Sequence, residues 1–250
     1  MLRNLIYALG LMGCVNYSLA AEVNFVTEEF PPFSYSRGAM ASGAFPEIVM
    51  LVCQHLKWSC SIEVFPWRRA LQLAEDGEVD GIFTLIDSPA RRASFYLTPM
   101  IAVSHYNFYT RRENDFIFTK PDDLKGAKIG VYGPSGTSYI LEETLKDVDD
   151  IDISLITNNQ RLLLMLSAGR FGKKGIVVLN NDVARHLIDH DRLYALRNAG
   201  YMASTSYAIG FSRKKVTPEI FTAFNDGLKR LKQSGEVAQI LKRYALEEAK

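Results

Sequence analysis

The sequence predicts an α/β fold made of two units of similar design. Short apolar strands alternate with amphipathic helices from Glu22 onward, a pattern typical of parallel strands joined by crossover helices. The alternation restarts near Lys128, which indicates a second unit. No low-complexity linker divides the chain, so the connections between the units are expected to be short strand-like crossings near Asn107–Arg111 and Met202–Tyr207. Sheets of this kind bind ligands at the carboxyl ends of their strands, so two facing units would enclose a cleft.

The first unit contains three predicted strands and two predicted helices. Its strands are apolar runs of four to seven residues, at Val23–Val26, Ser61–Phe65 and Val79–Leu85. Its helices carry apolar residues at helical spacing, at Phe45–Leu56 and Arg68–Glu75. Gly77 follows the second helix at the point where a left-handed cap is favoured, so we expect the helix to end there.

The second unit and the chain end continue the same alternation. Strands are predicted at Lys128–Tyr132, Ile151–Leu155, Gly175–Leu179 and Tyr207–Ser212. Helices are predicted at Thr137–Leu145, Gln160–Ala168, Val183–Ile188, Pro218–Ser234 and Glu236–Leu246.

The N-terminus has the pattern of a cleaved signal peptide over residues 1–20. Arg3 supplies a positive charge, Leu5–Met12 is a short apolar run, and Ser18-Leu19-Ala20 places small residues before the expected cleavage site. The chain is therefore expected in the periplasm. Leu11-Met12-Gly13-Cys14 loosely resembles a lipoprotein box, so a membrane tether through Cys14 stays open as an alternative.

Charge and composition exclude several partners. The formal net charge is +1, and removal of residues 1–20 takes away one Arg and no acid, which leaves zero. A chain without basic excess is a poor match for nucleic acid. The four His residues are scattered without metal-ligand spacing, so neither a metal nor a cofactor is expected.

Cys53 and Cys60 are the two cysteines that remain after cleavage. An even pair in an oxidising compartment favours a disulfide. The alternative is that both are small buried apolar residues.

Five segments in register resemble a known family. They are TEEFPPFSY (27–35), FPWRRALQLAEDGEVDGIF (65–83), SPARRASFYLTPM (88–100), IGVYGPSGTSY (129–139) and YAIGFSRKK with LKQSGEVAQILKRYAL (207–246). Together they resemble the bacterial extracellular solute-binding proteins of the polar amino acid uptake family, with the periplasmic binding protein type II fold. The resemblance implies two α/β lobes joined by two hinge strands, lobe 1 from residues 21–106 and 203–250 and lobe 2 from residues 107–202. It also implies hinge closure over a small polar ligand and delivery to the permease of an ABC importer. We expect a monomer.

The resemblance points to Arg91 as the ligand's carboxylate partner. In the family a Ser/Thr-Pro-x-Arg turn offers its guanidinium to the α-carboxylate, and Ser88-Pro89-Ala90-Arg91 matches that turn. A planar guanidinium makes two parallel charge-assisted bonds that Lys cannot copy. Arg92 leaves the register open, because Pro99 lies one residue closer to Arg91 than is usual, and both arginines could instead be solvated on a surface turn.

The loop Gly133–Ser138, between a strand and a helix, is the second candidate for anion binding. It lacks a Lys after its second glycine, so it is not a nucleotide phosphate loop. A helix N-terminus with free N–H groups suits a carboxylate. Gly136 and Thr137 match the family's Gly-Thr ligand contact, and a capped helix start is expected in either case.

Four further residues are candidates for ligand contact. Phe30 lies where the family places an aromatic ring against the ligand, and Trp67 is expected to form a second wall, although core packing claims most aromatic residues. Glu28 is a candidate partner for a ligand ammonium group. Thr84, near the carboxyl end of a strand, is a candidate hydrogen-bond partner.

One position departs from the family pattern. Amino acid binders of this family usually carry an Asp in lobe 2 that pairs with the ligand's ammonium, and the best register places Asn181 there, with Asp182 next to it. An Asn cannot neutralise a buried ammonium. Either Asp182 replaces it through a one-residue shift, or the ligand is not a standard α-amino acid.

Two other functions remain open. A ligand-sensing module for a receptor would use the same closure. A dehydratase-like enzyme on the same scaffold would need an acid or base in the cleft, for which Glu28 and His105 are the candidates. No nucleophile motif of the G-x-S-x-G type accompanies them, so we expect a binding protein.

Overall fold

A ten-stranded mixed sheet runs through the computed structural model, which describes residues 21–250. The predicted signal peptide and Cys14 lie outside the described residues. The strands are β1 Glu22–Thr27, β2 Tyr35–Arg37, β3 Met40–Ser42, β4 Ser59–Val64, β5 Gly81–Ile86, β6 Phe95–Leu97, β7 Ala102–Arg111, β8 Lys128–Tyr132, β9 Asp152–Ile156, β10 Ile176–Asn180, β11 Leu196–Ser212 and β12 Glu247–Glu248. The helices are α1 Ala44–Leu56, α2 Trp67–Asp76, α3 Pro89–Ser94, α4 Gly136–Leu145, α5 Asn159–Ser167, α6 Asn181–His190, α7 Pro218–Gln233 and α8 Glu236–Arg243.

The sheet has two parallel parts separated by a long antiparallel pair. Eight of its strands follow the order β4-β1-β5-β11-β7-β10-β8-β9, while β6 pairs with β11 and β12 pairs with β7. Strand β1 pairs parallel with β4 and β5, and β8 pairs parallel with β9 and β10. Strands β7 and β11 run antiparallel between these parts and connect them. The predicted α/β architecture of two lobes joined by two strands is confirmed.

The predicted lobe boundaries fall inside the two connecting strands. The β7–β11 ladder pairs Tyr106 with Ala203 and Asn107 with Tyr201, and its register shifts between those two pairs. The boundaries proposed at 106/107 and 202/203 therefore lie opposite each other in the ladder. A register shift adds local twist and bending to a strand pair.

The chain end returns to the first part of the sheet. Helix α7 packs against α1, and Phe224 of α7 lies beside Phe25 of β1 with ring centroids 5.7 Å apart. Phe211 of β11 meets Phe25 edge-on at 5.5 Å. Burial of these aromatic rings joins the two ends of the chain in one core.

Cys53, in the last turn of α1, forms a disulfide with Cys60 of β4, with 6.2 Å between their Cα atoms. The predicted disulfide is confirmed. Gly77 ends α2 with φ of 78°, as expected of a left-handed cap.

Several elements differ from the sequence predictions. The strand predicted over Tyr207–Ser212 begins at Leu196, because the same segment crosses between the two parts of the sheet. The last long helix ends at Arg243 rather than Leu246. The hairpin of β2 and β3 and the short helix α3 were not predicted. In residues 21–250, no helix is long and apolar enough to cross a bilayer.

Candidate ligand-binding site

A cavity of about 320 Å³ lies between the two parts of the sheet. Seven of the nine predicted ligand-binding residues line it, namely Glu28, Phe30, Trp67, Thr84, Arg91, Gly136 and Thr137. Asn181 and Asp182 do not. Among the described residues, Glu28 is the acidic side chain of this lining and Arg91 is the basic one.

Helix α3 places Arg91 in the cavity. Ser88 caps the helix, and its Oγ accepts a hydrogen bond from the Arg91 backbone N–H at 3.3 Å. The Arg91 side chain is 19% exposed, and its Nη1 donates to Glu75 Oε1 at 2.7 Å. Burial lowers the pKa of Arg91, and the Glu75 carboxylate opposes that change. The next residue, Arg92, is exposed and pairs with Asp87, so Arg91 is the arginine that faces the cavity.

The start of α4 forms another side of the cavity. Ser135 caps this helix, and its Oγ accepts hydrogen bonds from the backbone N–H groups of Thr137 and Ser138. A Cβ atom at Gly136 would lie 3.3 Å from a side-chain carbon of Ile86 in β5. Glycine therefore allows the start of α4 to approach β5 closely.

Phe30 and Trp67 are both buried and line the cavity. Phe30 stacks on Phe33 at 5.1 Å and meets Tyr207 edge-on at 5.7 Å. Trp67 is the first residue of α2, directly after Pro66. The two rings thus contribute to the apolar lining and also pack against the core.

Thr84 has a backbone conformation that is unusual for a β-branched residue. Its φ is 64°, opposite a register shift between Ala208 and Ile209 in β11. Its Oγ1 donates to the Phe83 carbonyl at 2.5 Å. Strained residues of this kind persist where the surroundings over-determine them, and they cluster at ligand sites.

A buried hydrogen bond between Glu28 and Tyr132 joins the two parts of the molecule. The Tyr132 hydroxyl donates to Glu28 Oε2 at 2.5 Å. Burial raises the pKa of Glu28 to about 8, although the Tyr132 hydrogen bond acts in the opposite direction. The carboxyl group is therefore mostly protonated at neutral pH.

Tyr106 of β7 and Tyr207 of β11 were missed by the sequence analysis. Both are buried and line the cavity, and their hydroxyl groups are 2.8 Å apart. Asn180 Nδ2 donates to the Tyr207 hydroxyl at 2.8 Å. Burial raises the pKa of Tyr106 to about 12, so this hydroxyl stays protonated. Their location on the two connecting strands is the sequence signal that could have suggested them.

Three other candidates lie outside the cavity. Asn181 Oδ1 accepts a hydrogen bond from the Tyr109 hydroxyl at 2.9 Å. Asp182 accepts from the Ser104 hydroxyl and forms an ion pair with Arg185 at 3.2 Å. His105, the candidate base, is exposed on β7, with its ring 5.8 Å from that of Tyr201.

Two α/β lobes, two connecting strands and a cavity between the lobes define a ligand-binding protein of the periplasmic binding protein type II class. Residues 23–247 match the bacterial extracellular solute-binding proteins, family 3, and the chain belongs to this family.

Individual relatives are distant in sequence. The L-cystine-binding protein TcyJ of Escherichia coli K12 is 21% identical over 220 residues, which cover 86% of this chain and 79% of the relative. A histidine kinase sensor domain superposes with a TM-score of 0.81 at 17% identity, covering 92% of this chain and 99% of that domain. An arginine-bound ancestral arginine-binding protein superposes with a TM-score of 0.78 at 18% identity, and the match covers 90% of this chain and 98% of that protein. These structural likenesses establish the fold.

Proposed function

We propose that the protein captures a small polar carboxylate, an amino acid or a related compound, between its lobes and delivers it to an ABC-type importer. The observation that carries the proposal is that Arg91 and the start of α4 line one cavity of about 320 Å³. A guanidinium can hold a carboxylate through two parallel charge-assisted hydrogen bonds. The dipole at a helix N-terminus favours the same charge, and Ser135 caps the N–H groups of Thr137 and Ser138 but not that of Gly136.

Arg91 has hydrogen-bonding capacity to spare. Its ion pair with Glu75 uses Nη1, and a guanidinium has five N–H donors. The remaining donors suit a ligand carboxylate. Phe30 and Trp67 would cover the apolar part of the ligand, and Thr84 and Thr137 would supply hydroxyl groups.

For an α-amino acid, the proposal assigns the ammonium contact to Glu28. Among the described residues, Glu28 is the residue with a side-chain carboxyl group that lines the cavity. Asp182 instead contacts Ser104 and Arg185. An adjacent ammonium group lowers the pKa of a carboxyl group. Binding of such a ligand would therefore ionise Glu28 and release a proton.

Closure of the lobes about β7 and β11 would complete the site. The family is described as extracellular, and its relative TcyJ is named for L-cystine binding, which supports an exported binding protein. We propose that residues 1–20 direct export to the periplasm, that residues 21–106 and 203–250 form one lobe and residues 107–202 the other, and that the protein acts as a monomer.

A sensor module is the second candidate function. The histidine kinase sensor domain with a TM-score of 0.81 is consistent with it, because the same fold there forms a sensor domain. In that case the closed form would be read by a receptor instead of a permease. Binding of one carboxylate is common to both functions.

The test is calorimetric titration of the purified protein with amino acids, opines and small carboxylates, compared across two variants. Arg91→Ala should weaken binding by about 2 kcal/mol or more, close to 30-fold in Kd, because a buried carboxylate would lose its partner. Arg92→Ala removes the adjacent exposed arginine and should leave Kd unchanged. Normal binding by Arg91→Ala would refute the role of Arg91, and absence of binding to every carboxylate would refute the proposed function.

A further inference from the structure

The side chain of Arg91 is not oriented by the helix that carries it. Helix α3 has six residues, all within the described chain, and none of them is buried. Pro89 and the Ser88 cap fix the start of this helix, but they fix its backbone alone. An arginine side chain has several rotatable bonds and much conformational entropy, so the direction of the guanidinium must be set by another contact.

Glu75 supplies that contact from helix α2. Arg91 Nη1 donates to Glu75 Oε1 at 2.7 Å, and the two side chains are 19% and 36% exposed. In residues 21–250, this is the one hydrogen bond that the Arg91 guanidinium makes. The direction in which the guanidinium points is therefore set by Glu75.

The end of α2 is a rigid support for Glu75. The preceding residue, Ala74, is fully buried and belongs to a core cluster with residues of β1 and β5. Gly77 ends the helix with φ of 78°, and directly after it the Glu78 carbonyl accepts a hydrogen bond from Lys215 Nζ at 2.8 Å. Glu75 therefore projects from a helix end that is held by burial, by a cap and by the segment after β11.

We propose that Glu75 is a positioning residue, which holds the Arg91 guanidinium in the direction that the ligand carboxylate requires. The inference rests on the proposed function, since it needs the carboxylate to bind Arg91. Glu75 occupies one nitrogen of the guanidinium, and the other N–H donors stay available to the ligand. Because the side chain is already ordered before binding, the ligand does not have to immobilise it.

The Glu75 carboxylate has two opposite effects on the binding of a ligand carboxylate. Its negative charge repels the ligand, whereas its hydrogen bond orients Arg91. The repulsion is weakened by solvent, because the Glu75 side chain is 36% exposed. Immobilising a long side chain during binding lowers affinity several-fold, so the orienting effect is the one that an experiment has to isolate from charge.

Two uncharged substitutions isolate the orienting effect. Glu75→Gln keeps an oxygen that can accept from Arg91, whereas Glu75→Ala has no acceptor, and both remove the same negative charge. The probe is the compound that the wild type binds most tightly among the L-α-amino acids and the linear carboxylates from acetate to adipate. In calorimetric titration, Glu75→Ala should bind this probe about fivefold more weakly than Glu75→Gln, because its Arg91 has to be ordered by the ligand.

Two controls separate positioning from a general structural role. Asp76→Ala removes the next residue of α2, which pairs with Lys214 at 3.5 Å, and it should leave Kd for the probe unchanged. In an Arg91→Ala background, Glu75→Ala and Glu75→Gln should bind the probe equally, because the effect of Glu75 passes through Arg91. The thermal midpoints should stay close to that of the wild type, because a partly exposed ion pair contributes little stability. Glu75→Leu serves if the Ala variant does not fold.

The outcomes separate the two proposals. If Glu75→Ala and Glu75→Gln bind the probe equally while Arg91→Ala still weakens binding, the role of Glu75 is refuted and the proposed function stands. A difference between the two Glu75 variants that persists without Arg91 also refutes positioning through Arg91. If the wild type binds no compound of the panel, the proposed function fails and the assignment of Glu75 fails with it.

Discussion

Replacement of Glu28 by Gln should change how the stability of the protein depends on pH. Glu28 is buried, and its pKa is raised from 4.5 to about 8 in the folded protein, mainly by desolvation. Gln is nearly isosteric and keeps an oxygen that can accept the hydrogen bond from the Tyr132 hydroxyl group, but it cannot ionise. The substitution therefore isolates the titration of this one group.

The magnitude follows from proton linkage. Above pH 4.5 the unfolded chain releases the Glu28 proton, whereas the folded protein retains it up to about pH 8. The folded state then binds more protons, so the contribution of Glu28 to the free energy of unfolding falls as pH rises. Each pH unit costs about 1.4 kcal/mol, which gives a loss of about 4 kcal/mol between pH 5 and pH 8.

Urea denaturation at pH 5, 6, 7 and 8, followed by the fluorescence of the two tryptophans, measures this loss. The free energy of unfolding of Glu28→Gln, minus that of the wild type, should rise by about 4 kcal/mol from pH 5 to pH 8. Glu29→Gln removes the adjacent exposed carboxyl group, whose charge raises the pKa of Glu28 less than burial does, so this variant should keep most of the wild-type pH dependence. A constant difference between Glu28→Gln and wild type across this range would refute the buried, protonated state of Glu28.

Two further predictions concern stability. The disulfide between Cys53 and Cys60 closes a short loop, with a sequence separation of 7. Replacing both cysteines by Ala should therefore lower the free energy of unfolding by about 2 kcal/mol. A urea midpoint equal to that of the wild type would contradict this prediction. Tyr207→Phe deprives Asn180 Nδ2 and the Tyr106 hydroxyl of a buried hydrogen-bond partner. It should lower the free energy of unfolding, measured by urea denaturation, by about 1–3 kcal/mol. An unchanged free energy of unfolding would show that the network contributes no net stability.

Much of the fold could be predicted from local patterns. Apolar spacing located α1, α2 and the parallel strands, because burial of one face imposes a period on the sequence. The prediction of the disulfide was correct for the same reason, because its two cysteines lie close in the sequence, at the end of α1 and in the next strand. The extent of β11 was not predictable, because its first half is paired only through contacts with β7, a strand distant in sequence.

The candidate site was predicted unevenly. Motif register brought out Arg91, and the structure separates it from Arg92 because helix α3 turns one guanidinium inward and leaves the other in solvent. The directions of Asn181 and Asp182 depend on partners in β7, Tyr109 and Ser104, that no sequence motif relates to them. Their ligand contacts were therefore plausible from the motif and are not supported by the cavity.

By itself, the sequence determined the order of strands and helices, the two-unit α/β design, the cysteine pair and the segments that place the chain in its family. These features depend on residues that are close together in the sequence, so the spacing of apolar residues and the residues at turns are enough to predict them. Only the tertiary structure decided that Glu28 meets Tyr132, that Tyr106 and Tyr207 share the cavity, and that the amide of Asn159 is buried without a partner. Such facts depend on burial and on contacts between distant segments, and burial is what shifts a pKa and makes a missing hydrogen bond costly.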